Sequence, residues 1–258
     1  MDDVVGVIGL GAMGAPMAAN LERAGHRVAG YDVRGHGNAG SVEEVAERAT
    51  RAVIVVVRTR TQVEEVVSRL RRPGLDVVVM STIDPTTMER LGSDLATRGL
   101  NAVDAPISGG VAGAVAGTLT IMASGDPAAI GRCRPLFEAV GSDLFVIGDR
   151  VGLGQAVKLA NQLMLAAHMV ACREAVRLAG AYGLTPEQVL PVIERSTGAS
   201  WVAANWRTVE GWWREGGSGG SLGIIHKDLR TLLDDTGERG VPLPLTALSF
   251  QALLEAWR

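Results

Sequence analysis

The stretch VIGLGAMGAPMAANL, residues 7–21, decides the fold of the first half of the chain. Its glycines at 9, 11 and 14 form the pattern G-x-G-x-x-G between an apolar run at 4–9 and an alanine-rich segment at 15–24. The run predicts a buried strand, and the segment predicts a helix with Pro16 near its first turn. In such a strand–turn–helix the first glycine permits a tight turn, the second lets a pyrophosphate approach, and the third lets the helix pack on the strand.

The turn therefore predicts a dinucleotide-binding site. N–H groups at the start of the helix point outward and bind phosphates. The predicted cofactor-binding residues of this turn are Gly9, Leu10, Gly11, Ala12, Met13 and Gly14. A glycine-rich turn without a ligand is the alternative interpretation.

The acid at the end of the second predicted strand, residues 27–33, indicates which nucleotide binds. Asp32 lies where a carboxylate accepts hydrogen bonds from the ribose hydroxyls of NAD and repels the additional phosphate of NADP. Arg34 lies two residues later, and an arginine there is able to hold that phosphate. The sequence predicts NAD as the cofactor, with NADP less favoured.

Apolar strands alternate with helices as far as about residue 150, and helical periodicity dominates afterwards. The alternation predicts a parallel sheet covered on both faces. We therefore expect an α/β Rossmann-type N-terminal domain at 1–150 and an all-α C-terminal domain at 151–258, joined by a long interdomain helix at 155–181. The other predicted elements are strands at 52–57, 76–80, 101–105, 119–124 and 144–147, helices at 42–48, 62–70, 86–98, 127–140, 185–196 and 227–239, and glycine-rich loops at 106–117 and 215–221.

The composition excludes several classes of protein. The chain has 258 residues, a net charge of −3 and no dense basic run, which argues against a nucleic-acid partner. The apolar stretch at 155–181 contains charged side chains and is too polar for a membrane span. Cys133 and Cys172 lack the spacing of a metal or redox site, and acidic residues at 2 and 3 replace the basic start of a signal peptide. The expectation is a soluble cytoplasmic protein without a metal.

Four segments in order carry a more specific signal. They are GLGAMGAPMAANL at 9–21, DAPISGGVAGAVAGTLTIMASG at 104–125, GLGQAVKLANQ at 152–162 and HKDL at 226–229. Together they resemble the β-hydroxyacid dehydrogenases, a family that includes 3-hydroxyisobutyrate dehydrogenase, tartronate semialdehyde reductase and 6-phosphogluconate dehydrogenase. The resemblance spans almost the whole chain. It implies that a nicotinamide nucleotide accepts hydride from a small β-hydroxy acid, which becomes the semialdehyde or oxo acid.

The third segment contains the predicted catalytic residue. Lys158 lies near the start of the long helix, and a lysine in an apolar segment has a pKa lowered by desolvation, which suits general acid–base catalysis. Asn161 follows one turn later on the same face. The resemblance implies that Lys158 is the catalytic lysine and that Asn161 binds substrate. A solvated charge at a helix end is the alternative for Lys158.

Two other segments supply candidate contacts. Ser108, Gly109 and Gly110 follow a strand, where successive N–H groups and a hydroxyl form a small anion site. The resemblance implies that they hold the substrate carboxylate. Lys227 and Asp228 are expected to open a helix, and the resemblance implies that Lys227 lies near the nicotinamide while Asp228 supports the substrate site. A plain glycine-rich turn and an exposed helix start are the alternatives.

Further cofactor contacts are predicted where strands end. Thr82 follows the strand at 76–80, at the sheet edge where open α/β folds bind ligands. The resemblance implies that this threonine contacts the cofactor. Val57 and Arg58 end the strand at 52–57 and are expected to line the adenosine side.

The connection between Asp32 and Ala52 departs from the family pattern. Its 19 residues leave too little chain for the helix, short strand and second helix that the family has there. A crossover between parallel strands normally needs a dozen or more residues, usually in a helix. We therefore expect the first crossover helix to be largely lost, which exposes one face of the sheet near the adenosine site.

Two other functions remain open. Imine reductases share the architecture, although they generally lack a lysine at the position of Lys158. A non-catalytic dinucleotide-binding protein is compatible with the shortened connection, whereas Lys158, Asn161 and Lys227 argue against it. The resemblance further implies a homodimer or homotetramer paired through the helical half.

Overall fold

The computed structural model describes residues 3–215, 217 and 220–255. The chain divides into two compact units, Met1–Lys158 and Leu159–Arg258. The strands, all in the first unit, are β1 (Val4–Ile8), β2 (Arg27–Tyr31), β3 (Ala52–Val55), β4 (Asp76–Val79), β5 (Asn101–Asp104), β6 (Ile107–Ser108), β7 (Leu119–Gly125) and β8 (Gly141–Gly148). The first unit's helices are α1 (Gly14–Arg23), α2 (Val42–Arg48), α3 (Arg60–Arg69), α4 (Pro85–Thr97), α5 (Gly110–Ala116) and α6 (Pro127–Val140).

Helix α7 (Leu153–Ala181) begins in the first unit and continues into the second, which confirms the predicted long helix. The second unit also contains α8 (Pro186–Glu194), α9 (Trp201–Ala204), α10 (Trp206–Glu215), α11 (Ser221–Glu238) and α12 (Pro244–Glu255). No helix in the described part of the chain combines the length and the apolar character needed to cross a membrane.

The strands of the first unit form one sheet in the order β2-β1-β3-β4-β5-β7-β6, with β8 paired to β7. Strands β1 to β5 run parallel, as the alternation predicted. The prediction of a wholly parallel sheet is wrong at the far end, where β7 runs antiparallel to β5. Strand β8 runs parallel to β7 and therefore shares its reversed direction. The chain returns from β5 to β7 without a full crossover, so its direction inverts.

Apolar layers cover both faces of the sheet, as expected for an α/β domain. Every residue of β3 (AVIV) and β4 (DVVV) is buried. Ile54 and Val78 belong to the cluster that includes residues of α1 and α6. Val53 and Val77 belong to the opposite cluster, with residues of α2, α3 and α4. Alternate side chains therefore hold helices on both sides and leave the carboxyl edge of the strands to the loops.

The segment predicted as a glycine-rich loop at 106–117 contains β6 and α5 instead. Its VAGAVA run is rich in alanine, the strongest helix former, and Ala114 is buried in the core. Gly117 ends the helix in the left-handed conformation, with φ 70°. The prediction is wrong because glycines that bound a short helix look, in sequence, like glycines of a loop.

The connection between β2 and β3 is short, as predicted, and its described residues contain the 7-residue helix α2. The expected exposed sheet face is wrong, because α2 buries Val42 and Val45 in the core. The Asn38 side chain completes the edge of β2. Its Oδ1 accepts a hydrogen bond from the Gly30 N–H at 3.0 Å, and its Nδ2 donates to the Val28 carbonyl at 2.9 Å.

The second unit is helical, as predicted, and its core includes Met169 of α7, Leu229 of α11 and Leu253 of α12. Helix α11 begins at Ser221, so the prediction of a helix opening at 227 is wrong. The segment SLGII extends the apolar face toward the amino end, with Leu222 buried. The predicted loop at 215–221 lies partly outside the described residues.

Candidate active site

The glycine turn after β1 has the geometry that the motif requires. Gly9 has φ 97°, which other residues rarely adopt, and a Cβ there would lie 2.4 Å from the Val56 carbonyl oxygen. A Cβ at Gly14 would lie 1.8 Å from the Gly9 carbonyl oxygen, so only glycine lets α1 pack this closely. At Gly11 the nearest atom to a Cβ would be Arg34 Nη2, at 3.4 Å. The Gly11 backbone is therefore open to the approach of a ligand.

The start of α1 is suited to an anion. Among the described residues no side chain caps this helix, whose N-cap is Met13, and its first turn carries no acid. Helix α4 is capped differently, because the Asp84 carboxylate accepts a hydrogen bond from the Thr87 N–H at 2.7 Å. A helix start with open N–H groups binds phosphate through these groups and the helix dipole. Residues 9–14 therefore fit the pyrophosphate of a dinucleotide.

Asp32 follows β2 and is held from two sides. Its Oδ2 accepts a hydrogen bond from the Leu10 N–H at 2.9 Å. Its Oδ1 accepts bonds from the N–H and the Nε of Arg34, each at 2.9 Å. The Arg34 side chain is the largest cause that lowers the pKa of Asp32 to about 2. The structure thus joins Asp32 and Arg34 in an ion pair beside the glycine turn, with the arginine side chain 60% exposed.

The segments that follow β3 and β4 are joined by one serine. Ser81 Oγ accepts a hydrogen bond from the Val57 N–H at 2.8 Å. A Cβ on Gly9 would lie 3.0 Å from Val57 Cγ1. Arg58 is exposed, and Thr82 is half-buried directly after Ser81. Because β1 to β4 are parallel neighbours, the predicted cofactor residues at 9–14, 32, 57, 58 and 82 all lie at the carboxyl edge of the sheet.

Ser108, Gly109 and Gly110 lie together at the junction of β6 and α5. Ser108 pairs with Thr120 of β7. Gly109 and Gly110 have φ 125° and 62°, turn the chain into α5, and are exposed. The three predicted residues are thus contiguous, with Ser108 half-buried and the two glycines open to solvent, as a substrate-binding role requires.

Lys158 is 6% exposed, so it is not the solvated charge of the alternative interpretation. The start of its helix packs tightly, since a Cβ on Gly154 would lie 2.3 Å from the Met122 carbonyl oxygen. The chain has only two lysines, Lys158 and Lys227, among its 25 lysine and arginine residues. Both fall within the segments that carry the family resemblance.

A buried polar network surrounds the first turn of α7. The Oδ2 of Asp104 accepts a hydrogen bond from Ser124 Oγ at 3.0 Å. The same oxygen accepts bonds from the N–H groups of Gly152 at 2.9 Å and Gln155 at 3.1 Å. Gln155 Nε2 donates to the other carboxylate oxygen at 2.7 Å. Burial raises the pKa of Asp104 to about 6, against the opposing effect of these bonds.

These network residues were not singled out from the sequence. Asp104 and Ser124 bound the DAPISGG-to-MASG segment, and Gln155 lies inside GLGQAVKLANQ. Polar residues within otherwise apolar runs could have indicated such a network, because buried polar groups need hydrogen-bond partners. Which partners they have depends on how the strands are ordered in the sheet.

In the second unit, α7 and α11 surround a buried carboxylate. Asp228 is 1% exposed, and its Oδ2 accepts a hydrogen bond from Gln162 Nε2 at 2.7 Å. Its Oδ1 lies 2.7 Å from the Lys227 Nζ. The exposed Asn161 has its Nδ2 3.5 Å from Gln162 Oε1. The structure thus joins three predicted residues through Gln162, which the sequence did not single out, and it places Lys227 and Asp228 inside α11.

The chain matches two family models. Residues 4–148 match the NAD binding domain of 6-phosphogluconate dehydrogenase. Residues 152–258 match the model described as NAD-binding of NADP-dependent 3-hydroxyisobutyrate dehydrogenase. With the glycine turn at the edge of a doubly covered sheet, these matches define the class of protein: an oxidoreductase that uses a nicotinamide nucleotide.

Similar proteins cover nearly the whole chain. The 2-(hydroxymethyl)glutarate dehydrogenase of Eubacterium barkeri is 34% identical over 96% of this chain and 87% of its own. The 3-hydroxyisobutyrate dehydrogenase of Pseudomonas aeruginosa is 33% identical over 95% of this chain and 89% of its own. The structure of Mycobacterium tuberculosis 3-hydroxyisobutyrate dehydrogenase with L-serine is 30% identical, with a TM-score of 0.86 over 99% of this chain and 94% of that one. The chain belongs to the β-hydroxyacid dehydrogenase family.

Imine reductases share the fold. The Streptomyces aurantiacus imine reductase is 20% identical, with a TM-score of 0.70 over 98% of this chain and 94% of that one. At that identity the likeness concerns architecture alone, since one fold serves many chemistries.

Proposed function

We propose that the protein oxidises a small β-hydroxy acid, similar to 3-hydroxyisobutyrate, to its semialdehyde or oxo acid with NAD, and that Lys158 is the general base. The observation that carries this proposal is the burial of Lys158, which is 6% exposed near the start of α7. When bound, the nicotinamide takes up the hydride that leaves the substrate carbon. The hydroxy-acid names of the relatives support the substrate class.

Lys158 is suited to move the hydroxyl proton. Its amine accepts that proton in the oxidation, so the carbonyl forms without a free alkoxide. In the reverse direction the ammonium returns the proton to the carbonyl oxygen. Burial keeps bulk water away from the amine, which favours transfer to and from the substrate.

The substrate carboxylate is assigned to the β6–α5 junction. Gly109 and Gly110 are exposed and have no side chain to hinder a bound anion, and Ser108 adds a hydroxyl donor. In the second unit, Asn161 is assigned to the substrate and Lys227 to the nicotinamide end of the cofactor, on the basis of the motif. Asp228 supports the substrate site by fixing Lys227 and Gln162.

The choice of NAD rests on Asp32. Its pKa of about 2 keeps the carboxylate charged at neutral pH, and a negative charge there repels the ribose phosphate of NADP. Arg34 neutralises part of that charge and is itself largely exposed. We therefore expect a preference for NAD together with measurable activity with NADP.

The assembly is proposed to be a cytoplasmic homodimer or homotetramer. Leu245 and Leu248 of α12 are 53% and 63% exposed, and Val192 of α8 is 63% exposed. The family resemblance pairs subunits through the helical half, and an interface there would cover such exposed apolar side chains. Light scattering of the purified protein tests this assembly, and a monomer at working concentration would contradict it.

A substrate screen with both cofactors tests the activity. We expect at least one short 3-hydroxy acid to yield NADH, and Lys158→Met to lower kcat by about 10²- to 10⁴-fold. The Kd for NAD should stay unchanged in this variant. Arg214→Met, which removes a cation of α10 that is 75% exposed and lies outside the predicted site residues, is the matched control and should retain most of kcat.

Two outcomes would contradict the proposal. Turnover of a cyclic imine without turnover of any hydroxy acid would favour an imine reductase. NAD binding without turnover of either would favour a non-catalytic dinucleotide-binding protein. Equal loss of NAD binding and kcat in Lys158→Met would remove the catalytic role from Lys158.

A further inference from the structure

We propose that Gln155 and Asp104 are positioning residues, which hold the helix turn that carries Lys158 against the strand end that carries Thr82. The inference rests on the proposed function of Lys158. It assigns a role to buried side chains that the proposed reaction does not use directly.

The Gln155 side chain bonds to both neighbours of Thr82. Its Oε1 accepts a hydrogen bond from the Ile83 N–H at 3.0 Å, and its Nε2 donates to the Ser81 carbonyl at 3.1 Å. The Nε2 also donates to Asp104 Oδ1 at 2.7 Å. Reversing the amide would set a donor against the Ile83 N–H and an oxygen against two acceptors. One orientation alone therefore satisfies the site.

Asp104 and Ser124 cap α7 from the sheet. The first N–H groups of a helix have no partner within the helix. The Asp104 carboxylate accepts bonds from the N–H groups of Gly152 and Gln155, and Ser124 Oγ accepts one from the Gly154 N–H at 2.9 Å. The start of α7 is thus fixed to β5 and β7 by three main-chain donors.

The network connects the first turns of α7, which carry Lys158, with the predicted cofactor residues that follow β3 and β4. Lys158 lies three residues after Gln155, which is less than one helical turn. The chain of bonds continues from Gln155 through Ser81 to Val57. A catalytic group that moves by about 1 Å loses about 10²-fold in rate. Full burial of Gln155 and Asp104, each 0% exposed, supplies the rigidity that Lys158 needs.

The first residue of β5 supplies a matched control. Asn101 donates its Nδ2 to the Oδ1 of the buried Asp76 at 2.9 Å, much as Gln155 donates to Asp104. Asp76 also accepts two bonds from Arg132. Asn101 begins the strand that Asp104 ends, so the two amides hold opposite ends of one strand.

The first experiment compares Gln155→Met with Asn101→Leu. Each substitution removes a side-chain amide that donates to a buried carboxylate and introduces an apolar side chain of similar size. We expect Gln155→Met to lower kcat by about 10- to 100-fold, with a much smaller change in the KM for the hydroxy acid. Asn101→Leu should keep kcat within about twofold while it lowers the free energy of unfolding. Circular dichroism checks that both variants are folded.

Ser124→Ala is the milder second variant. It removes one bond to Asp104 and the acceptor of the Gly154 N–H, and it leaves Gln155 in place. If Gln155→Met does not fold, Ser124→Ala should still lower kcat by about threefold or more at unchanged KM. An unchanged kcat in a folded Ser124→Ala protein would then overturn the positioning role.

The second experiment measures how firmly Lys158 is held, and it does not depend on enzymatic turnover. Lys158 and Lys227 are the chain's two lysines, so acetylation of each is resolved by peptide mass spectrometry. Gln155→Met should raise the labelling rate of Lys158 relative to Lys227 by about tenfold, because the first turn of α7 opens more often. Asn101→Leu should leave the ratio unchanged.

The outcomes separate this inference from the proposed function. A wild-type protein that turns over no hydroxy acid refutes the proposed function, and with it the catalytic use of the network. An active wild type whose Gln155→Met variant loses no more kcat than Asn101→Leu overturns the positioning role alone. An unchanged labelling ratio in Gln155→Met overturns it as well.

Discussion

Strands β4 and β5 each contribute a fully buried carboxylate, at opposite ends of the sheet, and the two are held by different chemistry. At the amino end, Asp76 accepts hydrogen bonds of 2.6 and 2.9 Å from the guanidinium of Arg132. That arginine side chain is 43% exposed. At the carboxyl end, Asp104 accepts bonds from the neutral donors of Ser124 and Gln155 and from main-chain N–H groups.

The difference indicates that the two buried carboxylates have different roles. Arg132 places a charge against Asp76 while its other edge stays in water, so the cluster ties α6 to the sheet and stabilises the fold. Neutral donors leave the charge of Asp104 uncompensated, and burial raises its pKa to about 6. The donors at the carboxyl end are the amides that fix the start of α7 beside the candidate active site. We therefore assign the Asp76 cluster to the stability of the fold and the Asp104 cluster to the position of α7.

The largest expected effect concerns two glycines of the turn at the carboxyl end of the sheet, one needed for folding and the other for NAD binding. Gly14→Ala should destabilise the protein by about 3 kcal/mol or more, because a Cβ there would lie 1.8 Å from a main-chain oxygen. Gly11→Ala meets only the Arg34 side chain, at 3.4 Å, and should fold normally. It should still weaken NAD binding by about tenfold, since the methyl group occupies the approach of the pyrophosphate.

Urea unfolding and NAD titration by tryptophan fluorescence check this pair of glycine variants. Equal destabilisation of both would show that the second glycine serves the fold and not the ligand. Normal NAD affinity in Gly11→Ala would remove the pyrophosphate from this turn.

An intermediate effect concerns the pH dependence of stability. The unfolded chain releases the Asp104 proton near pH 3.8, whereas the folded protein holds it to about pH 6. As pH rises through that window the unfolded state binds fewer protons than the folded state, so the free energy of unfolding falls by about 3 kcal/mol. Asp104→Asn cannot titrate and should lack this fall.

Urea unfolding between about pH 4 and pH 7 measures the difference between wild type and Asp104→Asn. Asn101→Leu leaves Asp104 in place and should keep the wild-type slope. Parallel curves for wild type and Asp104→Asn would mean that the buried carboxylate is ionised throughout, and the contrast between the two ends would weaken.

The smallest expected effect concerns the cofactor. Arg34→Met removes an exposed guanidinium, and exposed ion pairs contribute at most about 1 kcal/mol. The kcat/KM with NADP should therefore fall by about fivefold or less, while the value with NAD changes by less than about twofold. Initial rates of wild type and Arg34→Met with NAD and with NADP measure both changes in kcat/KM. A rise in NADP activity would show that Arg34 does not assist the ribose phosphate.

Much of the fold followed from local patterns. The continuous apolar runs of β3 and β4 predicted buried parallel strands, and the glycines at 9, 11 and 14 predicted the turn at the end of β1. The direction of β7 did not follow, because a hydrophobic period is the same for a strand in either direction. Helix α5 was missed for a related reason, since its bounding glycines resemble those of a loop.

Two features of the site depend on tertiary structure. The sequence placed Asp32 and Arg34 near a cofactor, but only the fold shows that they are joined to each other and to Leu10. The sequence also contained Asp104 and Gln155 in its motifs without any sign that they touch. They lie 51 positions apart, and the order of β4, β5 and β7 brings them together.

The sequence by itself determined the dinucleotide turn, the two-part architecture, the family and the candidate lysine. Each rests on residue type and spacing over a short stretch, where backbone conformation and periodicity act. Only the tertiary structure decided that Lys158 is buried and that the glutamine three residues before it bonds to both neighbours of Thr82. Those facts depend on hydrogen bonds between segments as far as 74 positions apart, and such bonds form only where the sheet sets the strand ends side by side.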